Sequence, residues 1–287
     1  MVLDFDGVLV DSEPEVSTSA FTSAADYWPQ AFANASEQQR AAVLQGLRTC
    51  RPALVRGYES MVMARLLLEA PGCEPQILTD WEQLLSATLQ AWGEDWEVLQ
   101  RAFEEHRAGW LGRDRAGWLA CNKPYPGVVD ALASCEAPFY IASSKAASRV
   151  SVLAREALGM DVDGDSPRLY CSLIPPNEKK VEALREIAAR PVAQGARLHF
   201  VDDRLETLRA ALDAGLGATW SLYLADWGYC TPAELEEVEG LEGVRRLGLA
   251  DFLELLKWGI VMGVHDGCEP TAEEVAQGVA GAAAKGG

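Results

Sequence analysis

Hydrophobic and polar positions divide the chain into three stretches. Residues 1–13 contain "VLDFDGVLVDS", a short apolar run meeting a turn, with Asp4 and Asp6 one residue apart and Gly7 directly after. Residues 14–123 carry helical spacing throughout. "RPALVRGYESMVMARLLLEA" (51–70) places Leu54, Tyr58, Met61 and Arg65 at helical intervals. "TDWEQLLSATLQAW" offers Thr79 as an N-cap with Glu82 three residues later. In "WEVLQRAFEEHRAGWL", Trp96, Leu99, Phe103 and Trp110 fall near one face of a third helix. An all-helical domain is expected over residues 14–123.

"NKPYPGV" marks a boundary with its prolines and glycine, and the pattern then alternates. "GVVDALASC" reads as helix and "PFYIAS" (138–143) as strand. "VSVLAREAL" is helical, "RLYCSLI" (168–174) a strand, and "KKVEALREIAAR" a helix with Val181, Leu184 and Ile187 on one face. "RLHFVDD" (197–203) is a strand, "LETLRAALDAG" a helix closed by Gly215, and "TWSLYLA" (219–225) another strand. Strands separated by helices predict an α/β fold: a Rossmann-like, doubly wound parallel sheet built from residues 1–13 and 124–258, with the helical segment inserted. In such sheets ligands bind at the carboxyl ends of the strands. Those ends carry Asp4, Ser143 and the pair Asp202 and Asp203. The stretch "GVAGAAAKGG" is low in complexity, and residues 259–287 are expected to be a disordered tail.

Composition narrows the function more than the fold. A net charge of −18 disfavours a surface that tracks nucleic-acid phosphates, so no nucleic-acid partner is expected. No apolar run is long enough to span a bilayer. The seven cysteines are odd in number and free of CxxC spacing, which argues against a disulfide framework or a zinc site. An intracellular, reducing compartment is expected, cytoplasm or plastid stroma. Because Asp4 lies so near Met1, a further upstream segment in the natural protein is left open, as is the oligomeric state.

Four motifs then carry a resemblance. "DFDGVLVDS" is similar to the first motif of the haloacid dehalogenase-like (HAD) superfamily, "FYIASSK" to its second, Lys180 in "KKVEAL" to its third, and "HFVDD" to its acidic fourth. They occur in the family's order and cover the α/β part of the chain. The helical insertion resembles the family's C1-type cap. "RPALVRGYE", "RDRAGWLACNKPYPGV", "HFVDDRLETL" and "YLADWGY" further resemble a branch of HAD-like hydrolases of plants and algae. The resemblance implies Mg²⁺-dependent phosphatase chemistry on a small phosphorylated metabolite through an aspartyl phosphate. Residues two apart on a strand point the same way, so Asp4 and Asp6 can both face a ligand. Asp4 would be the nucleophile and Asp6 the general acid and then base. Ser143 would donate a hydrogen bond to the phosphoryl group, and Lys180 would supply fixed positive charge, with Lys179 as the competing assignment. The expected Mg²⁺ ligands are the Asp4 carboxylate, the Asp6 carbonyl and a fourth-motif carboxylate, with Asp203 direct and Asp202 acting through water, or the reverse.

Blander readings of the same residues are a solvated strand end for Asp4 and Asp6, an exposed helix face for Lys180, and an N-cap for Asp202 and Asp203. His106, His199 and His265 read as structural, and Trp227 and Tyr229 as packing rather than site residues. Arg56, Tyr58 and Glu59 are equally readable as lid residues or as cap core. Two other functions remain open: a sugar phosphomutase using the same residues, and a catalytically slow binding or regulatory protein. A dehalogenase fits less well, since it has no use for an acid at Asp6.

Overall fold

The computed structural model describes residues 1–259. Six parallel strands form the main sheet: β1 (Val2–Leu3), β4 (Tyr140–Ala142), β5 (Leu169–Tyr170), β6 (Leu198–Asp202), β7 (Trp220–Ala225) and β8 (Val244–Leu247). Their order is β5-β4-β1-β6-β7-β8. The chain therefore winds outward from β1 in both directions, which makes β1 the switch point where such sheets open a ligand crevice. Two further strands, β2 (Val10–Asp11) and β3 (Lys123–Pro124), pair antiparallel, Val10 with Pro124 and Asp11 with Lys123. This ribbon ties the start of the helical insertion to its end.

Register explains the two-sided core. Val2 lies beside Tyr140 and Phe200, and Phe200 beside Leu222. All four are buried in one apolar cluster, against helices α10 (Pro176–Ala188) and α11 (Leu205–Asp213). The next residue on each strand, Leu3, Ile141, Val201 and Tyr223, faces the opposite cluster. That side is covered by α8 (Val128–Ser134), α9 (Ala147–Glu156) and α13 (Leu249–Trp258). The period of two in the strands thus sets both layers. Helix α12 (Pro232–Val238) joins β7 to β8 and opens with a capping box between Thr231 and Glu234.

The insertion is helical: α1 (Glu13–Tyr27), α2 (Pro29–Phe32), α3 (Glu37–Cys50), α4 (Glu59–Glu69), α5 (Glu74–Trp92), α6 (Trp96–Arg113) and α7 (Arg115–Ala120). It has its own core, in which Met61, Val62, Ile77, Leu99 and Phe103 are buried together. No described helix is long and apolar enough to cross a membrane.

Several local expectations are corrected. β1 ends at Leu3, and Asp4 and Asp6 lie in the turn beyond it rather than on the strand. The helix expected over 51–70 is a 3₁₀ turn at Arg51–Ala53, an extended Leu54, and α4 only from Glu59. Pro52 accounts for the break, since it has no N–H to continue a ladder. Thr79 caps nothing. Its hydroxyl donates to the Pro75 carbonyl (2.9 Å) inside α5, which begins five residues earlier with Pro75 in its first turn and bends at Asp80. Trp96 is exposed at the start of α6, while Leu99 and Phe103 are buried. The strand expected over 168–174 keeps only two residues in the sheet, because Ser172 takes a left-handed φ of 57° and turns the chain away. The edge strand β8, "VRRL", has no counterpart in the sequence reading. Of the expected tail, Gly259 closes α13 in a left-handed conformation, and residues 260–287 lie outside those described.

Candidate active site

The carboxyl ends of β1, β4 and β6 bring the expected residues together. Asp4 is the first residue past β1. Its amide donates to the Val201 carbonyl (2.9 Å), extending the β1–β6 pairing, while its Oδ1 accepts the Phe5 amide (2.7 Å). Asp202 ends β6 and Asp203 follows. Carboxylate oxygens of Asp4, Asp202 and Asp203 lie within 4.8 Å of one another, and all three residues are buried. From α10, Lys180 reaches into this group. Its Nζ stands 3.0 Å from Asp4 Oδ2 and 2.7 Å from Asp202 Oδ2, with the residue 2% exposed. Lys179 points elsewhere and pairs with Glu182 at the surface.

One ammonium against three carboxylates leaves excess negative charge in a dry site. Burial, with repulsion from Asp202 and Asp203, pushes Asp4 up to about 7 although Lys180 opposes it. Burial and Asp202 raise Asp203 in the same way, to about 6. Burial alone would lower the Lys180 ammonium, but Asp202 and Asp4 outweigh it and hold its pKa above the ordinary value. Buried carboxylates held near neutrality by their own crowding suit a hard cation with oxygen ligands.

Asp6 lies apart from that trio. A left-handed turn at Gly7 (φ 84°) redirects the chain, and Gly7 N donates to the Val10 carbonyl (2.9 Å). A side chain at Gly7 would collide with the Asp203 carboxylate, and one at Gly228 with both Asp203 and the Gly7 carbonyl. The Asp6 carboxylate accepts Ser12 Oγ (2.6 Å) and Lys145 Nζ (2.9 Å). Burial would raise its pKa, yet Lys145, Ser12 and Arg51 together hold it below the ordinary value. Ser143, fully buried at the end of β4, accepts the Lys145 amide (3.2 Å), which leaves its O–H to donate.

Several residues of this site were not anticipated. Lys145 follows Ser143 by two residues in the quoted "FYIASSK", and that spacing was the signal that could have found it. Tyr229, expected as packing, is part of the site: its amide donates to Asp203 Oδ2 (2.8 Å) and its hydroxyl accepts the amides of Ser12 (2.8 Å) and Glu13 (3.0 Å). Trp227 does pack, stacked on Phe252 with its indole N–H on the Val8 carbonyl. From the cap, Arg51 lies over the Tyr229 ring at 4.0 Å. Arg204 donates across to the carbonyls of Pro52 (3.2 Å) and Leu54 (2.8 Å).

Behind Asp6 the cap and core share a second charged group. Glu15 accepts Nε of Arg107 (2.9 Å) in a two-pronged ion pair. Arg149 from α9 holds Glu104 of α6 at 2.6 Å. Glu59 and Tyr58 belong to the cap interior, Glu59 accepting Val55 N and Trp81 Nε1, and Arg56 stacks on Trp96. His106 meets Thr22 (2.8 Å) and His199 meets Tyr223 (3.3 Å), away from the acidic trio, while His265 lies outside the described residues.

Comparison with known proteins bears on the fold and the family. No curated protein matched the chain. Among solved structures, a predicted phosphoglycolate phosphatase from Haemophilus somnus aligns at a TM-score of 0.52 and 18% identity, covering 88% of this chain and 96% of its own. A haloacid dehalogenase-like family hydrolase from Streptococcus pneumoniae aligns at 0.50 and 16%, covering 88% and 95%. A predicted phosphatase from Clostridium acetobutylicum aligns at 0.50 and 14%, with the same coverage. At these identities the likeness is one of fold. The sequence model of the haloacid dehalogenase-like hydrolases matches residues 1–215, most of the chain, so this protein belongs to the haloacid dehalogenase-like hydrolase family.

Proposed function

We propose that this hydrolase is a Mg²⁺-dependent phosphatase acting on a small phosphorylated metabolite through an aspartyl phosphate on Asp4. The observation that carries the reading is the division of the acidic residues. Asp4 is clustered with Asp202, Asp203 and Lys180, whereas Asp6 is held separately by Lys145 and Ser12. A nucleophile beside fixed positive charge and an acid/base partner set apart from it are what a two-step phosphoryl transfer requires.

The Asp4 carboxylate, the Asp6 carbonyl and the Asp203 carboxylate would hold the ion. Asp203 is favoured over Asp202 because both oxygens of Asp202 are already engaged, by Lys180 and by the Arg204 amide (3.0 Å). When bound, Mg²⁺ would offset the repulsion between the carboxylates and an incoming phosphate. Asp4 would attack phosphorus as the ester P–O bond breaks, with the leaving oxygen taking its proton from Asp6. Water would then attack the aspartyl phosphate, giving its proton to Asp6 and releasing Asp4. Lys145 holds Asp6 ionised, the form needed in the second step, so donation in the first requires Asp6 to gain a proton and release Lys145. Ser143 and Lys180 would bear on the phosphoryl oxygens. A reducing compartment, cytoplasm or plastid stroma, is proposed from the odd number and scattered spacing of the cysteines in the sequence.

The test is phosphate release from a panel of phosphomonoesters with Mg²⁺, repeated with chelator and with Asp4→Asn. Release that disappears in both controls supports the reading. A folded, Mg²⁺-binding protein that hydrolyses nothing would favour a binding role, and transfer to a second sugar hydroxyl would favour a mutase.

A further inference from the structure

The cations around the site are almost all committed. Lys180 serves Asp4 and Asp202, Lys145 serves Asp6, Arg107 serves Glu15, and Arg149 serves Glu104. Arg51 is different. It opens the 3₁₀ turn of the cap, and that turn is fixed in place by Arg204 through the carbonyls of Pro52 and Leu54 rather than by the Arg51 side chain. Its guanidinium lies on the Tyr229 ring, and its Nε is buried with no hydrogen-bond partner. Asp6 and Asp203 feel its charge, yet they spend their own contacts on Lys145, Ser12 and the Tyr229 amide.

The Nε of Arg149 is likewise buried without a partner, but the Arg149 guanidinium is paired with Glu104 and that of Arg107 with Glu15, whereas among the described residues no ion pair holds Arg51. The unused capacity therefore suits a group that arrives with the substrate. Its place over the Tyr229 ring holds the guanidinium near the site, and a guanidinium carries its donors in the fork arrangement that matches a carboxylate or phosphate. In a chain of net charge −18, a cation kept out of ion pairing beside an acidic site favours anionic ligands by local attraction.

We propose that Arg51 is a specificity-determining residue that receives a second anionic group, carboxylate or phosphate, on a small phosphomonoester. This rests on the phosphatase reading and deepens it: the substrate carries negative charge at both ends, one for Asp4 and one for the cap.

Three matched esters test it with Mg²⁺: an alkyl phosphate, the same chain ending in a carboxylate, and the same chain ending in a second phosphate. Wild-type kcat/KM should be roughly ten-fold or more higher for at least one charged ester than for the alkyl phosphate, and which one identifies the anion. Arg51→Gln should cost that ester roughly ten- to a hundred-fold, well beyond the loss on the alkyl phosphate, and Arg51→Lys should recover part of it. Equal turnover of the three by the wild type would overturn the proposal without any variant. Equal losses on all three in a folded Arg51→Gln would do the same, by making Arg51 a general support of the cap. If an aryl phosphate and all three esters go unhydrolysed, the phosphatase reading fails first and takes this one with it.

Discussion

Two charged clusters lie side by side where cap meets core, and they are built on opposite plans. In the core cluster, Asp4, Asp202 and Asp203 surround a lone ammonium from Lys180. In the interface cluster, Asp6, Glu15 and Glu104 are matched by Lys145, Arg107 and Arg149. The second is neutral by its own side chains. The first is short of positive charge, and its carboxyls rise toward neutrality as a result. A site that keeps an uncompensated charge buried is one that expects a partner, whereas a balanced one sets the geometry of what it joins.

The strongest way to break that contrast is to remove the carboxylate proposed as the nucleophile. Asp4→Asn should abolish phosphate release, a loss on the order of a thousand-fold or more, while its unfolding temperature stays at or above that of the wild type in chelator. The variant relieves crowding, so it should not destabilise. A variant that lost both activity and fold would mean that Asp4 belongs to the structure rather than the reaction.

The balanced cluster should respond in the opposite sense. Arg107→Met leaves Glu15 buried and unpaired, where burial had been outweighed by Arg107 to bring its pKa down to about 2. A cost of about 3–5 kcal/mol is expected, seen as a lower denaturant midpoint at unchanged slope. Pairing it with Glu15→Gln should restore much of the loss, and a double variant no better than the single would show that the guanidinium contributes packing alone.

Acidity separates the clusters more gently. Asp4 and Asp203 have folded pKa values of about 7 and about 6, above the ordinary carboxylate value, so the metal-free folded state binds more protons than the unfolded chain through that window. Their contribution to stability is present at low pH and is lost as pH rises toward 7. In chelator the protein should melt at a lower temperature at pH 8 than at pH 5.5, and Mg²⁺ at pH 8 should recover the difference. Glu15, held down at about 2, loses its contribution only as pH falls below the ordinary carboxylate range, outside this interval. A flat profile between pH 5.5 and pH 8 would mean that the core cluster is not the charge-stressed one.

The two clusters were not equally legible in the sequence. Asp202 ends β6, Asp4 and Ser143 stand one residue past β1 and β4, and strand ends in a parallel sheet converge on one edge, so the pattern alone placed them together. Lys180 stands one residue into a family-like spacing. The interface cluster has no such logic. Lys145 reaches Asp6 across 139 residues within the core and Arg107 reaches Glu15 across 92 within the cap, and of the three pairs Arg149–Glu104 is the one that depends on how the cap sits on the core. Arg51 is placed by Arg204, 150 residues from the Leu54 carbonyl it holds. Within the core, β8 escaped notice because two arginines interrupt its apolar pattern, a composition suited to a sheet edge.

The finest division runs between adjacent residues of one helix. Lys179 and Lys180 have the same chemistry and lie one position apart on α10, yet the helical turn sends one to water and the other into the site. Lys179 and Glu182 form an exposed pair, with side chains 45% and 60% accessible, which solvent and salt screen. Lys179→Ala should change stability by no more than about 0.5 kcal/mol and leave phosphate release intact. Lys180→Ala should remove most of the release and, since Asp202 would be left buried beside Asp4 with nothing opposing it, should make the chelated protein more sensitive to rising pH than the wild type. If the two alanine variants behaved alike, the positive charge facing Asp4 would have to be supplied by another group, and the core cluster would no longer be distinguished from the interface by its dependence on a single ammonium.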